Sequence, residues 1–345
     1  MPTISNLSSN IFPSSRLLAD HEEAVKAISD ALLASRHVLV TAHEHPDGDA
    51  LGSTLALYHA LRAQGKEVVA FNPDRPPAFF SFLPSIHAFT HTKTAIASCD
   101  TLVILDSTHL YRTQLEEEAL AHPLTLVIDH HQDNSRQGKH NLVVPEAAST
   151  TQILFELFQH LGWPMSKDVA TCLLTGLFTD TGSFMHDSVT PRILEIAAYL
   201  MQKGARLSHI AHETYQKKDL AGLRIWGRAL SRIMTNEKTG SVVSIITYKD
   251  LEECGATRDD LDGVVNMLNT LPDSKFALLL TEHQPGKIKG SLRSEPHKGV
   301  DVSKIAKMLG GGGHKLASGF DVKGHIVRHN NQWRIRPVSD TQPSL

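Results

Sequence analysis

The chain has 345 residues, 41% of them hydrophobic, a formal charge of −3 at pH 7 and three cysteines. That length carries two domains with full-sized cores, while so small a net charge leaves no basic footprint for duplex nucleic acid. Cys99, Cys172 and Cys254 are far apart and form no CxxC pair, which argues against a disulfide framework or a thiolate zinc site and for a reducing compartment.

Residues 1–19, rich in Ser and Asn, read as a frayed arm. The apolar run 38–42 reads as a buried parallel strand and ends into His43-Glu44-His45-Pro46-Asp47-Gly48-Asp49. Asp49 falls where a helix N-cap would sit, ahead of a helix closing at 62–65. A second strand is expected at 67–71. The run 101–105 ends at Asp106, and the run 124–128 ends at Asp129-His130-His131. A fifth strand is expected at 141–144, and a helical pattern over 169–178 stops at Asp180-Thr181-Gly182. Strands alternating with helices predict βαβ units and a parallel sheet covered on both faces. The stretch 190–234 is helical in pattern and reads as a linker. Beyond it, strands near 241–247, 276–282 and 287–292 and helices near 259–271 and 302–309 predict a second, smaller α/β domain. The expected organisation is thus an arm at 1–19, a first domain over 20–189, the linker, a domain over 235–338 and a mobile tail at 339–345.

In an open parallel sheet, ligands bind beyond the carboxyl ends of the strands. Asp and His side chains delivered to that one edge suit hard or borderline divalent cations, the donor set of a two-metal phosphoesterase. Taken singly, each cluster reads as an ordinary Asp-rich turn or helix-end carboxylate; their recurrence at successive strand ends carries the inference. Asp47 and Asp49 stand two apart in an irregular turn stiffened by Pro46 and freed by Gly48, so they can serve different cations. Asp106, alone at its strand end, can bridge two. His130 and His131 diverge, so one is expected as a ligand and one as a substrate contact, with Asp129 orienting a ligand histidine. Most of the 21 histidines lie outside these clusters and read as surface or structural. In the second domain, Gly310-Gly311-Gly312-Gly313-His314 offers backbone donors and an imidazole to an anion, and Arg293 ends a strand with a bidentate fork.

The series HEHPDGDALGS, LDS, IDHH, TDTGSF, SLRS and GGGGHKLASG resembles the DHH phosphoesterases that carry a subtype-1 DHH-associated C-terminal domain, in the NrnA-like branch of nanoRNases and pAp phosphatases. The resemblance implies a Rossmann-like catalytic domain joined by a linker to a smaller substrate-binding domain. It implies two manganese ions, with magnesium or cobalt as substitutes. One would be held by His43, Asp47 and Asp106, the other by Asp49, Asp106, His130 and Asp180. His131 would contact the scissile phosphate and, with Asp106, form the catalytic core. Asn134, Arg293, Ser294, Gly311, Gly312, Gly313 and His314 would bind substrate. His45 is assigned a structural part, and His186 and Asp187 stay unassigned.

The implied activity is hydrolysis of short single-stranded oligoribonucleotides, such as pApA, to mononucleotides, and of pAp to AMP. Three alternatives stand beside it: a cyclic-dinucleotide phosphodiesterase, a family II inorganic pyrophosphatase, which lacks the glycine–His loop, and a non-enzymatic nucleotide-binding regulator. No apolar run reaches the length of a membrane span and no secretory signal opens the chain, so a cytoplasmic protein without a membrane partner is expected. Oligomeric state, a homodimer included, stays open.

Overall fold

A computed structural model describes residues 16–217, 219–330 and 332–337. The expected tail at 339–345 and most of the expected arm lie outside the described residues; within the arm, Arg16–His21 forms a 3-10 turn that buries Leu18. The chain divides between Gln216 and Lys217 into two units.

The first unit runs α1 Glu22–Ala34, β1 His37–Thr41, α2 Gly48–Ala63, β2 Glu67–Phe71, β3 Phe89–Thr90, β4 Thr101–Leu105, α3 Glu116–Ala121, β5 Thr125–Asp129, β6 His140–Val143, α4 Thr150–His160, α5 Lys167–Asp180, α6 Pro191–Gln202 and α7 Leu207–Ala211. Its six strands form one all-parallel sheet in the order β3-β2-β1-β4-β5-β6. Alternation along the strands explains why the runs are apolar throughout. Val38, Val40, Val103, Leu105, Leu126 and Ile128 pack into one core with α1, α2, α4 and α5, while Leu39, Leu102, Ile104 and Val127 pack on the other face with Leu110, Leu115 and Ala119. The strand order reverses between β1 and β4, whose register pairs Thr41 with Ile104. His43 and Asp106 each follow two residues later, so both stand at the crevice where such sheets bind ligands.

Helices α2 and α5 approach closely through glycines. A Cβ on Gly52 would lie 2.6 Å from the Cys172 carbonyl oxygen, and one on Gly176 would lie 2.6 Å from Asp49 Oδ1. This near approach brings the end of α5, with Asp180, to the crevice.

The second unit runs α8 Leu220–Leu230, β7 Met234–Asn236, β8 Ser241–Ile246, α9 Tyr248–Cys254, α10 Val264–Asn269, β9 Phe276–Gln284, β10 Lys287–Arg293, α11 Val302–Met308, β11 Gly312–Gly313, β12 Ala317–Lys323, β13 His325–His329 and β14 Gln332–Arg336. A mixed sheet orders β11-β12-β10-β9-β8-β7, with β8 and β9 parallel, and β13 and β14 form a separate hairpin. The helix expected over 259–271 is broken at Gly263, whose φ of +86° is left-handed and whose Cβ would sit 3.2 Å from the Trp226 ring. The stretch 190–234 is largely helical, and its two halves belong to different cores: Ile193, Ile196 and Leu200 to the first unit, Ile225 and Ala229 to the second. Among the described residues, no helix is long and apolar enough to cross a membrane.

Candidate two-metal centre

The turn after β1 is shaped by its own carboxylate. Asp47, rather than Asp49, caps α2: its Oδ1 accepts from the backbone N–H groups of Asp49 and Ala50, each at 3.0 Å. The capping position was expected at Asp49 because both residues fit the pattern; the extended backbone of Asp47 decides it. Asp49 instead lies in the first helical turn, 1% exposed. Its Oδ2 accepts from Thr150 N at 2.6 Å, and its Oδ1 from Thr151 N at 3.0 Å and Thr151 Oγ1 at 2.7 Å. Asp106 sits past β4 at a φ of +51°, a strained left-handed conformation for a non-glycine residue.

The two outer histidines are oriented alike. His43 Nδ1 donates to the Glu44 carbonyl at 2.7 Å, and His130 Nδ1 faces the Ala147 carbonyl at 3.3 Å. Both therefore present Nε2 to the crevice, as ligand histidines do. His43 Nε2 lies 3.6 Å from Asp106 Oδ2 and 3.8 Å from Asp47 Oδ2. His130 Nε2 lies 3.6 Å from Asp106 Oδ1 and 3.3 Å from Asp180 Oδ2. These separations exceed ordinary hydrogen-bond lengths, yet ligand atoms sharing a cation about 2.1 Å away stand roughly 3–4 Å apart. Among the described residues four groups fit a cation on this test, Asp106-Asp129-His130-His131 and Glu44-His45-Asp74 as well as the two expected sites, His43, Asp47 and Asp106 for one and Asp49, His130 and Asp180 for the other. Asp106 turns one oxygen to each of the two expected sites.

His131 has a different partner. Its Nδ1 lies 2.7 Å from Asp129 Oδ1, and a carboxylate only accepts, so that nitrogen carries the proton. Asp129 was expected to orient a ligand histidine; it orients His131, and a backbone carbonyl orients His130. Asn134, expected as a phosphate contact, spends its amide hydrogens on Asp129 Oδ2 at 2.7 Å and the Ser107 carbonyl at 2.9 Å. It steadies Asp129 instead. His45, at a φ of +53°, holds the turn by donating its N–H to Asp74 at 2.7 Å. His186 Nδ1 reaches the Asp180 carbonyl at 3.1 Å, across a left-handed turn at Gly182, Ser183 and Phe184. Nothing in the structure assigns a part to Asp187.

Crowded carboxylates set the electrostatics. Burial alone would lower His43, but hydrogen bonds and charge from Asp106 and Asp47 raise it to about 10. Burial and the neighbouring Asp106 push Asp49 up to about 7, and burial with Asp49 and Asp106 raises Asp180 well above the carboxylate range. For Asp106, burial works upward, yet His43 and the other two imidazoles carry it well below that range. So much negative charge is held together by protons in the free protein, and a divalent cation can replace them.

In the second unit, Arg293 ends β10. Its Nε donates to Asn266 Oδ1 on α10 at 3.0 Å and its Nη1 to the Leu292 carbonyl at 2.9 Å. Register pairs Arg293 with Ala317, whose carbonyl accepts from His314 N at 2.8 Å, so Arg293 and the exposed His314 lie at one end of the same sheet. Two expected contacts are structural here. Ser294 is buried, with its Oγ donating to the Lys275 carbonyl at 2.8 Å. Gly311 donates to the Ala306 carbonyl at 2.8 Å to end α11, and a Cβ there would lie 2.0 Å from the Gly319 carbonyl oxygen. Gly312 and Gly313 pair with Gly319 and Ser318 as β11. The glycine run is a helix stop and a strand pair more than an open anion cradle.

Residues 37–177 match the DHH family, N-terminal domain, and residues 239–331 match the DHHA1 domain. A bifunctional oligoribonuclease and PAP phosphatase NrnA from Thermus thermophilus is 32% identical over 303 residues, covering 88% of this chain and 89% of that protein. The chain belongs to the DHH family. A protein of the same description from Bacillus subtilis is 26% identical over 310 residues, covering 87% and 92% of the two chains. The crystal structure of an exopolyphosphatase-related protein from Bacteroides fragilis superposes with a TM-score of 0.81 at 27% identity, covering 87% of this chain and 91% of that one.

The DHH centre also draws on residues that the sequence patterns did not single out. Ser149, Thr150 and Thr151 open α4, and the two threonines bind Asp49 and Asp106. Their sequence signal was present, a Ser-Thr-Thr run ahead of an apolar helix, but it reads as a cap and nothing more. In the DHHA1 unit, Asn266 fixes the Arg293 fork, and an exposed Asn on a short helix carries no pattern at all.

Proposed function

We propose that this DHH protein is a two-metal phosphoesterase that hydrolyses short oligoribonucleotides to mononucleotides and pAp to AMP, using manganese in preference to magnesium or cobalt. The observation that carries the reading is Asp106, buried and strained, with its two oxygens divided between His43 and His130. His43, Asp47 and Asp106 would hold one cation, and Asp49, Asp106, His130 and Asp180 the other. A set of carboxylates and imidazoles suits manganese, between the preferences of magnesium and zinc. Two bound divalent cations would polarise the phosphoryl oxygens and acidify water at neutral pH.

The chain's own residues complete the chemistry. Burial lowers His131, but its bond to Asp129 and the charge of Asp106 raise it overall above its ordinary value, which favours the protonated ring. With Nδ1–H held by Asp129, Nε2–H donates to the phosphoryl group as charge develops there. Both hydrolyses break the bond between phosphorus and a ribose 3′-oxygen, so one site serves both. Arg293, fixed by Asn266, and His314 bind the phosphate that does not react, which makes residues 235–338 the substrate-binding domain and 20–189 the catalytic one. The relatives from Thermus thermophilus and Bacillus subtilis are described as oligoribonucleases and PAP phosphatases, which supports the substrate class. A cytoplasmic setting is supported by three cysteines that are all free thiols.

A panel of manganese, magnesium and cobalt against pApA, a pentaribonucleotide, a long single strand, pAp, pyrophosphate and a cyclic dinucleotide tests the proposal. AMP release from pApA and pAp, greatest with manganese and falling as RNA lengthens, is expected. With 6% aromatic residues, the chain has little material for stacking platforms along a strand. Turnover confined to pyrophosphate or to cyclic dinucleotides would replace this reading with one of those activities. Binding of all substrates without turnover would make the protein a regulator.

A further inference from the structure

We infer that Thr150 is a positioning residue that couples the two cation sites, and that its neighbour Thr151 positions one site alone. The inference rests on the two-metal reading above. Residues 147–151, which lead from β6 into the first turn of α4, touch the centre repeatedly. The Ala147 carbonyl orients His130, Thr150 N donates to Asp49 Oδ2 at 2.6 Å, and Thr150 Oγ1 donates to Asp106 Oδ1 at 3.2 Å. Thr151 gives both its N–H and its hydroxyl to Asp49 Oδ1, at 3.0 and 2.7 Å. Thr150 and Thr151 are 0% and 1% exposed, so water cannot replace a missing hydroxyl at either position.

A bridging carboxylate works only if its plane is fixed, because each oxygen must face a different cation. The carboxyl torsion is intrinsically broad, and the left-handed backbone of Asp106 adds strain rather than restraint. The Thr150 hydroxyl supplies the restraint. It binds the oxygen that faces His130 and leaves Oδ2 turned to His43. The same residue's backbone N–H holds Asp49, assigned to the second cation alone. Thr150 therefore joins the bridging carboxylate to a carboxylate of one site, whereas Thr151 reaches only Asp49. The start of α4 also suits an anionic neighbour, since its first two N–H groups both end on Asp49. Ser149 locks the turn by accepting from Gln152 N at 3.0 Å.

The test is titration of the metal-free full-length protein with manganese alone, free manganese being counted by electron paramagnetic resonance. Wild type is expected to bind two ions. Thr150→Val should weaken both by about 10–100-fold, the usual cost of losing an outer hydrogen bond to a ligand. Thr151→Val should weaken one of the two, and Thr150→Ser, which keeps the hydroxyl, should bind like wild type. At saturating manganese, KM for pApA should be unchanged in all three. If Thr150→Val does not fold, Thr150→Ala replaces it, with the same loss expected. Two ions bound to Thr150→Val with wild-type affinity would overturn the inference, as would equal losses in Thr150→Ser and Thr150→Val. Fewer than two ions on wild type would instead overturn the two-metal reading on which it stands.

Discussion

Replacing Asp129 by Asn changes one atom and disturbs four hydrogen bonds. Asp129 Oδ1 accepts from His130 N at 2.8 Å, His131 N at 3.3 Å and His131 Nδ1 at 2.7 Å, while Oδ2 accepts from Asn134 Nδ2 at 2.7 Å. An amide has one acceptor oxygen. Placed toward the histidines, it leaves its NH2 facing the NH2 of Asn134. That amide cannot turn, because it also donates to the Ser107 carbonyl and accepts from Arg136 N at 2.7 Å. Three bonds then fall from charged to neutral strength, roughly 1 kcal/mol each, and one donor pair is left opposed at about 1–3 kcal/mol. Folding stability should drop by roughly 3–6 kcal/mol, allowing for bonds that do not add independently. His131 also loses the carboxylate that raises its pKa, so it is deprotonated at a lower pH. At saturating manganese, kcat on pApA should fall about 10–100-fold, or roughly 1.4–2.7 kcal/mol of barrier, with two ions still bound. The alkaline limb of the pH–rate profile should move to lower pH. A kcat within twofold of wild type and an unmoved profile would refute the assignment of Asp129 and His131.

Asp106→Ala should weaken both cation sites and Asp180→Ala chiefly one, read by manganese titration; equal losses would remove the bridging assignment. Arg293→Ala should raise KM with metal binding intact, and Arg293→Lys should recover only part of the loss, since an ammonium lacks the planar fork. Below pH 6.5 the raised His43 contributes its full stabilisation, which is lost as pH rises through about 10, and Asp49, raised to about 7, likewise makes stability fall from its ordinary carboxylate range upward. The metal-free protein should therefore melt at lower temperature at pH 8 than at pH 6. Added manganese, which replaces those protons, should raise the melting temperature more at pH 8. A larger gain at pH 6 would contradict the proton exchange.

The crevice was legible because its residues are set by local pattern. An apolar strand followed by Asp or His is a short-range signal, and His43, Asp106 and the Asp129-His130-His131 triplet all lie at such ends. The structure brings them together because the strand order reverses beside β1. What the sequence could not convey was which partner each polar group takes from a distant part of the chain. Asn134 meets Ser107, Ser294 meets Lys275, and Thr150 meets Asp49 across a hundred residues. None of these pairs leaves a trace in spacing. Asp47 and Asp49 were interchangeable as caps until backbone geometry chose between them. In the second unit, the hairpin β13–β14 went unread because its strands are mostly exposed and polar. The glycine run read as a loop because two-residue β11 has no side chains to alternate.

Anomalous diffraction at the manganese edge, from crystals grown with manganese, tests the central claim most directly. The account predicts two peaks about 3.5–4 Å apart, the spacing of a two-metal hydrolytic centre. They should flank Asp106, one against His43 and Asp47 and the other against Asp49, His130 and Asp180. A single peak, or a pair that Asp106 does not join, would contradict it.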